Sequence, residues 1–415
     1  MQRARVLFVI TLVIVFFALA TGFPVFHRMY YVFGLLLVVG LLWTWLLVGG
    51  IEIDVRRPTL RSKAGQSIRE RVIVRRRSQF LRGFLEIQEQ TDMPIDAPGA
   101  VIGLEGREPE PIDLEVPCPQ RGIFKLGPVA VAGSDPLGLY RLRRSSGPVQ
   151  RLVVHPATID LPGFVLLPAD LPGEGPVHLR SQHVTNSAFS IRDYMSGDSL
   201  NRMAWKSTAR FQKLMVKEFE MEPANNIWVV VDMARRANAG PAGRAIEETA
   251  ITVAASIAKR YSDGGYPVGF FSYGNERFAI APQRGPGHLI RIMDALAELR
   301  AQGSTRLLNV IADLHARAGR YTSVAIVTAS QEDEWLDGVR HLLLRRSRIT
   351  IVSVDGDPAA KSYPEVAHRI AGMGIPVYTV KAGTETTEGL VSLAPAALSH
   401  DGVARRARFA HASIP

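Results

Sequence analysis

Ile227-Trp228-Val229-Val230-Val231 is a run of five apolar residues that ends at Asp232. An unbroken apolar run, rather than an alternating one, is typical of a strand that is buried on both faces. Comparable runs follow, separated by helical patterns, at Val268–Phe271, Val324–Val327, Ile349–Val354 and Val377–Val380. This alternation predicts an α/β domain over residues 223–385, with a doubly wound parallel sheet. Ligands of such sheets bind at the carboxyl ends of the strands, where Asp232 lies.

A dense polar and aromatic segment precedes this domain. Gly197-Asp198 predicts a turn, and Asp198 or Ser199 can cap a helix over Leu200–Phe211. We interpret the segment as a recognition surface or a buried polar network, with ordinary caps and ion pairs as the plain alternative. A second hypothesis is an enzyme that uses Asp193, Tyr194 and Asp198 as polar catalytic groups. The segment's notable residues are Arg192, Asp193, Tyr194, Gly197, Asp198, Trp205 and Arg210.

Residues 51–161 show a different period. Apolar and charged residues alternate in Ile51–Arg56 and Ile112–Val116, and proline and glycine interrupt the runs. Short alternating strands of this kind predict a small antiparallel β-sandwich. Residues 162–222 then form a linker with the polar segment. The single cysteine, Cys118, excludes an intramolecular disulfide and a cysteine-built zinc site.

Two long apolar segments open the chain. Val6–Phe26 and Tyr30–Val48 are each close to the ~20 residues that cross ~30 Å of hydrocarbon. His27–Met29 between them predicts a tight turn, so residues 1–50 are expected to form a transmembrane hairpin. A cleaved signal peptide is the alternative for the first segment, because Arg3 and Arg5 precede it, but the second segment argues against it.

Basic residues predict the orientation of the hairpin. They lie before the first segment and after the second, whereas the predicted turn holds only Arg28 and His27. The positive-inside bias therefore places both ends of the hairpin, and the bulk of the chain, in the cytoplasm. Ten basic residues and one acid, Glu70, lie between Arg56 and Arg82. We favour contact with anionic lipid headgroups for this stretch over a solvated strand face or nucleic-acid binding.

Three stretches together resemble a known bacterial family. They are R-G-I-F-K-L-G-P at 121–128 with D-P-L-G-L at 135–139, then R-D-Y-M-S-G-D at 192–198 with Trp205 and T-A-R at 208–210, and the strand that ends at Asp232. In combination they resemble the domain of unknown function 58 family. The resemblance implies two N-terminal membrane spans, a β-domain and a von Willebrand A-like region. It also implies association with MoxR-type AAA+ ATPases in a bacterial plasma membrane.

A von Willebrand A domain usually carries a metal-ion-dependent adhesion site that begins with D-x-S-x-S. Here the element reads Asp232-Met233-Ala234-Arg235-Arg236, so both hydroxyls are missing. Thr305 could match the family's later threonine, and Thr328 stands near the place of its usual Asp-Gly. This oxygen set is too small for a divalent cation, so we expect no metal and no cofactor. We hypothesise that Arg235 or Arg236 pairs with Asp232 in place of the ion.

Several catalytic motifs are absent from the sequence. It contains no G-x-x-x-x-G-K-[ST], no G-x-S-x-G and no HExxH spacing of its ten histidines. We therefore expect a membrane-anchored adaptor without catalysis of its own, which docks a protein partner at the edge formed by Asp232, Thr305 and Thr328. Residues 386–415 form a basic tail, predicted to be flexible or lipid-bound.

Overall fold

The chain is a mixed α/β protein with two apolar N-terminal helices and several sheets. The computed structural model describes residues 2–76, 83–103, 110–161, 163–166, 190–195, 203–218, 226–319, 322–356, 365–383 and 391–392. The chain divides into two compact units. The first comprises Met1–Ala157 with Met293–Glu298, and the second comprises Thr158–Ile292 with Leu299–Pro415.

Two helices begin the first unit, α1 (Gln2–Thr21) and α2 (Pro24–Gly49). Both are long and apolar enough to cross a membrane. The turn between them is Gly22-Phe23, so the prediction of a turn at His27–Met29 is wrong, because those residues lie inside α2. Gly22 has a φ of +64°, which a residue without Cβ adopts freely, and proline at the first helical position of α2 fixes a φ suited to helix.

Two β-sheets complete the first unit. One has the strand order β1-β3-β6, and the other has β2-β9-β7-β4-β5 with β8 paired to β7. All pairs are antiparallel except β2 with β9, which is parallel and was not expected. The strands are β1 (Ile51–Arg56), β2 (Arg61–Lys63), β3 (Gln66–Arg76), β4 (Phe84–Thr91), β5 (Gly99–Gly103), β6 (Glu110–Cys118), β7 (Gly122–Ser134), β8 (Arg141–Ser146) and β9 (Gln150–His155).

The two sheets pack around two apolar clusters, one built on Val116, Leu126 and Leu152 and the other including the end of α2. Val72 and Leu114 come from the first sheet, Leu85 and Val131 from the second, and Leu47 from the end of α2. The alternating pattern of the sequence therefore has the expected cause, since every second side chain of a strand faces the opposite sheet. Because Leu47 belongs to one of these clusters, the C-terminal end of α2 packs against the two sheets. We call the part of the first unit formed by these sheets, residues 51–157, the β-unit.

The polar segment forms a small substructure of its own, which we call the motif hairpin. It consists of β10 (Ser190–Asp193), α3 (Trp205–Phe211) and β11 (Met215–Glu218), with β10 antiparallel to β11. The helix begins at Trp205, whereas the sequence predicted a start at Leu200. Met203 instead forms an antiparallel bridge with Val216. Met203 therefore belongs to a strand contact and not to the helix.

The rest of the second unit is a seven-stranded sheet with helices. Its strand order is β14-β13-β12-β15-β16-β17-β18, in which β12, β13, β15, β16 and β17 are parallel and the two outer strands are antiparallel. The elements are β12 (Ile227–Val231), α4 (Gly243–Asp263), β13 (Val268–Tyr273), β14 (Arg277–Gln283), α5 (Pro286–Glu298), α6 (Leu307–Arg317), β15 (Ser323–Thr328), α7 (Trp335–Leu344), β16 (Arg348–Asp355), α8 (Glu365–Gly372), β17 (Val377–Lys381) and β18 (Val391–Ser392). The last strand lies beyond residue 385, where the sequence placed the end of this domain.

Helices cover this sheet on two faces. Trp228 and Val230 of β12 belong to an apolar cluster with residues of α6, α7 and α8. Helix α4 also contacts β12 but contributes none of its buried residues to that cluster. Since alternate residues of a strand face opposite sides, α4 lies on the other face. All five residues of β12 are buried, as the unbroken apolar run predicted.

Candidate functional site

The carboxylate of Asp232 is enclosed at the carboxyl end of β12. Asp232 is only 2% exposed. The Thr328 hydroxyl donates to Asp232 Oδ2 at 2.8 Å, and the Ala234 N–H donates to Oδ1 at 3.1 Å. Neighbouring strands position the two side chains, because β12 pairs with β15 and Thr328 ends β15. The structure therefore brings together two of the residues that the sequence placed at this edge.

The loop after Asp232 is held by backbone contacts. Asn238 Nδ2 donates to the carbonyl oxygens of Asp232 and Ala234 at 3.1 and 3.0 Å. The Arg235 N–H donates to the carbonyl oxygen of Gly303 at 2.8 Å. Thr305, two residues past Gly303, is half-buried and has no hydrogen bond to Asp232 or Thr328 within the described part of the chain. The hydrogen bonds named above hold the loop without a contribution from Thr305.

The hypothesis of an ion pair to Asp232 does not fit this geometry. Arg235 and Arg236 are both exposed, and Arg236 Nη2 pairs with Glu332 Oε1 at 3.0 Å. The donors to Asp232 are neutral, a hydroxyl and a backbone N–H. Sequence reasoning missed Glu332 as the partner, because the acidic cluster at 332–334 gave no indication of which arginine it faces.

Burial controls the electrostatics of Asp232. It raises the pKa of this carboxyl, and the two hydrogen bonds from Thr328 and Ala234 lower it only in part. The nearby charge of Glu332 raises the pKa further. The direction of this pKa change is the one expected when a carboxyl is removed from water, because burial disfavours its charged form.

The same edge offers little to a metal ion. No group of three or more His, Cys, Asp or Glu side chains suited to a metal occurs among the described residues. Thr328 already donates to Asp232, and Ala234 and Arg236 occupy the hydroxyl positions of the usual element. What the edge presents instead is a rim of exposed ion pairs: Arg236 with Glu332, Arg306 with Glu334, and Arg369 with Asp333. Such a rim suits a polar partner surface.

The motif hairpin contains several of the residues that carry the family resemblance. The Tyr194 N–H donates to the Leu214 carbonyl oxygen at 2.8 Å, and Thr208 Oγ1 accepts from the Met215 N–H at 3.0 Å. Asp193 is exposed and Tyr194 is half-buried. Arg192 pairs through its backbone with Val216 in the β10–β11 ladder. Gly197 and Asp198 lie outside the described residues, so the catalytic alternative stays a prediction.

Large apolar side chains of the motif hairpin face solvent. Trp205 is 64% exposed and Phe211 is 61% exposed. Leu214 and Met195 are also exposed. The guanidinium of Arg210 lies 5.9 Å from the centre of the Phe211 ring, and Lys206 and Lys213 are exposed beside them. Exposed aromatic residues grouped in one substructure are typical of interaction surfaces.

The basic stretch of the β-unit is more neutralised than its composition indicated. Arg57 has a side chain only 3% exposed, and its Nη2 lies 3.2 Å from Glu70 Oε1 and 3.1 Å from Glu89 Oε1. Two exposed arginines also pair with acids of β6: Arg69 with Glu115 at 3.2 Å and Arg71 with Asp113 at 2.7 Å. Fewer cations are therefore available for lipid headgroups than the ten counted in the sequence.

Comparison with known proteins now bears on the motif hairpin and the α/β unit. Residues 190–369 match the family described as "Protein of unknown function DUF58". The match begins with β10 and ends in α8, so it spans the motif hairpin and most of the sheet. It agrees with the resemblance drawn from Arg192–Asp198, Trp205 and Asp232.

A curated relative gives a second, shorter match. The "Uncharacterized protein YeaD" of Bacillus subtilis (strain 168) is 32% identical over 125 residues, which cover 30% of this chain and 29% of that protein. The chain thus matches less than a third of the length of this relative.

Solved structures show only weak likeness. The complex of zinc 2-glycoprotein and prolactin inducible protein from human seminal plasma is 10% identical, at a TM-score of 0.18 over 25% of this chain and 92% of that one. Cwp6 from Clostridium difficile is 8% identical, at a TM-score of 0.18 over 80% of this chain and 49% of that one. Values this low do not establish a shared fold.

Proposed function

We propose that this protein is a membrane-anchored adaptor that docks a protein partner and has no catalysis of its own. The observation that carries the proposal is the motif hairpin, on which Trp205, Phe211 and Leu214 are exposed beside three cationic side chains. Tryptophan is enriched in the few interface residues that dominate binding energy. A partner segment with apolar and acidic side chains would complement this surface.

The partner we propose is a MoxR-type AAA+ ATPase, and the α/β unit is proposed to be a doubly wound, von Willebrand A-like domain. The strand order supports this fold. The first three strands of the seven-stranded sheet run outward as β12, β13 and β14 on one side, and β15, β16 and β17 follow on the other. That order is shared by doubly wound nucleotide-binding folds, so it supports the layer arrangement and not a nucleotide. Remodelling of an assembly is then the chemistry of the partner.

Membrane anchoring rests on α1 and α2. Both satisfy the length and apolarity of a membrane span, and most of their large apolar side chains are exposed. We propose that both spans cross a bacterial plasma membrane and that the bulk of the chain is cytoplasmic. Arg3 and Arg5 lie at the N-terminus of α1 and Arg56 follows the C-terminus of α2, and basic residues favour the cytoplasmic side.

Affinity capture from membranes tests the adaptor proposal. The full chain, purified with and without ATP, is expected to retain a MoxR-type ATPase identified by mass spectrometry. The double variant Trp205→Ala/Phe211→Ala is expected to lose it. The matched control is Leu344→Ala, which removes a side chain that is 81% exposed at the end of α7. Absence of any such ATPase in every nucleotide condition would contradict the adaptor proposal, and retention by the double variant would remove the motif hairpin as the docking surface.

A further inference from the structure

We propose that the turn Asp135–Tyr140, between β7 and β8, is seated in the headgroup boundary of the lipid bilayer, with Leu137 inserted. We call it the lipid turn. The proposal rests on the membrane anchoring described above and adds a second point of contact, made by the β-unit and not by the helices. The bilayer itself is the occupant, because this turn lies beside both spans.

The C-terminal half of α2 is buried along one stripe. The buried residues Leu37, Gly40, Thr44, Leu47 and Val48 recur at helical spacing. Strands β7 and β8 are in contact with α2. A Cβ on Gly133 of β7 would lie 2.9 Å from Val48 Cγ2 and 3.1 Å from Leu47 Cδ2. These two side chains face protein and not lipid, so one face of the end of α2 is packed on the β-unit, whereas Trp45 and Leu46 are exposed.

Helix lengths give the same boundary. At ~1.5 Å per residue, the 20 residues of α1 extend ~30 Å and the 26 residues of α2 extend ~39 Å. Hydrocarbon is ~30 Å thick, so α2 exceeds it by ~9 Å, or about six residues. The segment Thr44–Gly49 has this length, and we place the excess there because its Leu47 and Val48 pack on the β-unit. The sequence had counted residues up to Val48 as membrane span.

The lipid turn lies close to this boundary and about 6 Å to its lipid side, because Gly40 precedes Thr44 by four residues. A Cβ on Gly40 of α2 would be 3.4 Å from Tyr140 Cδ2 and 3.7 Å from Asp135 Cγ. A Cβ on Gly138 would be 3.6 Å from Nη1 of Arg3, which lies at the N-terminus of α1. An arginine at this position marks the edge of the hydrocarbon, because a charge is costly within it. The turn is therefore level with Arg3 and with the last lipid-facing part of α2.

The turn itself is rigid and presents an apolar apex. The buried Asp135 carboxylate accepts from the Leu137 N–H at 3.0 Å and from the Tyr140 N–H at 2.6 Å. Leu139 is buried, whereas Leu137 is 57% exposed. Because these hydrogen bonds already hold the loop in one conformation, inserting Leu137 among the acyl chains costs little further conformational entropy of the loop.

Depth-dependent quenching of a fluorophore tests this placement. Single cysteines replace Leu137, Val149 or Val38 in a full-length Cys118→Ala background, are labelled with an environment-sensitive dye, and are reconstituted in phosphatidylcholine/phosphatidylglycerol vesicles. Val149 is the matched control, because it is also 57% exposed but lies past the far end of β8. Val38 of α2 is 63% exposed and reports the anchoring alone.

The expected result is a blue shift and quenching by headgroup-proximal nitroxide lipids for Leu137→Cys, and neither for Val149→Cys. Val38→Cys is expected to be quenched by lipids that carry the nitroxide deep in the acyl chain. If Val38→Cys is quenched while Leu137→Cys behaves like Val149→Cys, the lipid turn is refuted and the anchoring stands. If Val38→Cys is not quenched, the anchoring fails and the lipid turn fails with it.

Discussion

At the scale of single residues, Glu89 is the clearest case of burial acting against charge. Burial raises its pKa from an ordinary value of 4.5 to about 8, helped by a hydrogen bond and repulsion from Glu70 and only partly offset by Arg57. Two carboxyls face one guanidinium, so a shared proton relieves the excess negative charge. Between pH 4.5 and about 8 the folded chain holds a proton that the unfolded chain has lost.

The contribution of Glu89 to the stability of the β-unit is therefore expected to be greatest below pH 4.5 and to fall as the pH rises toward 8. Glu89→Gln, which needs no proton to be neutral, is expected to flatten this dependence and to raise the melting temperature at pH 8. Thermal unfolding of the full chain in detergent from pH 4.5 to 9 measures it. Glu52→Gln on the exposed face of β1 is the control. A wild-type melting temperature that rises over this range would contradict the assignment.

Asp232 is expected to stabilise the edge of the sheet and not to bind a cation. Asp232→Ala leaves the Thr328 hydroxyl and the Ala234 N–H without their acceptor, at a cost of ~1–3 kcal/mol. We expect a lower melting temperature for this variant and no tight Mg²⁺ or Mn²⁺ binding by calorimetry to either protein. Tight binding by the wild type that is lost in Asp232→Ala would show a metal site after all.

At the scale of elements, α2 joins the apolar hairpin to the β-unit through Gly40. A leucine at position 40 would meet the Tyr140 ring, whereas position 34 of the same helix has nothing within 4 Å of a Cβ. Gly40→Leu is expected to lose ~1–3 kcal/mol by overpacking, and Gly34→Leu is expected to lose none. Both changes raise helix propensity alike, so their difference isolates the contact. Equal melting temperatures of the two variants in detergent would show that the packing of α2 on the lipid turn is unimportant.

At the scale of the whole molecule, the orientation of the hairpin is open to direct labelling. Phe23→Cys, in the turn between α1 and α2, is expected to react with a membrane-impermeant maleimide added to intact cells, because basic residues hold the other end inside. Val149→Cys, in the β-unit, is expected to react only after permeabilisation. The reverse pattern would place the β-unit outside the plasma membrane.

The helices and strands differ in how far the sequence predicted them. The buried strand at Ile227–Val231 and the two apolar helices follow from composition and period alone, since a local run fixes both length and solvent. The edge strand β14 and helices α7 and α8 were not predicted individually, because each is only seven to ten residues long and its period repeats few times. The start of α3 was misplaced because a bridge between Met203 and Val216 overrides local helix propensity.

By itself, the sequence determined the apolar hairpin, the buried parallel strands and the carboxylate at the end of the first one, because each depends on residues adjacent along the chain. Only the tertiary structure decided which charges are buried or paired. Arg57 meets Glu89 from 32 positions away, and Thr328 meets Asp232 from 96 positions away. Contacts over such separations depend on how strands are ordered in a sheet, and no local pattern of polar and apolar residues encodes that order uniquely.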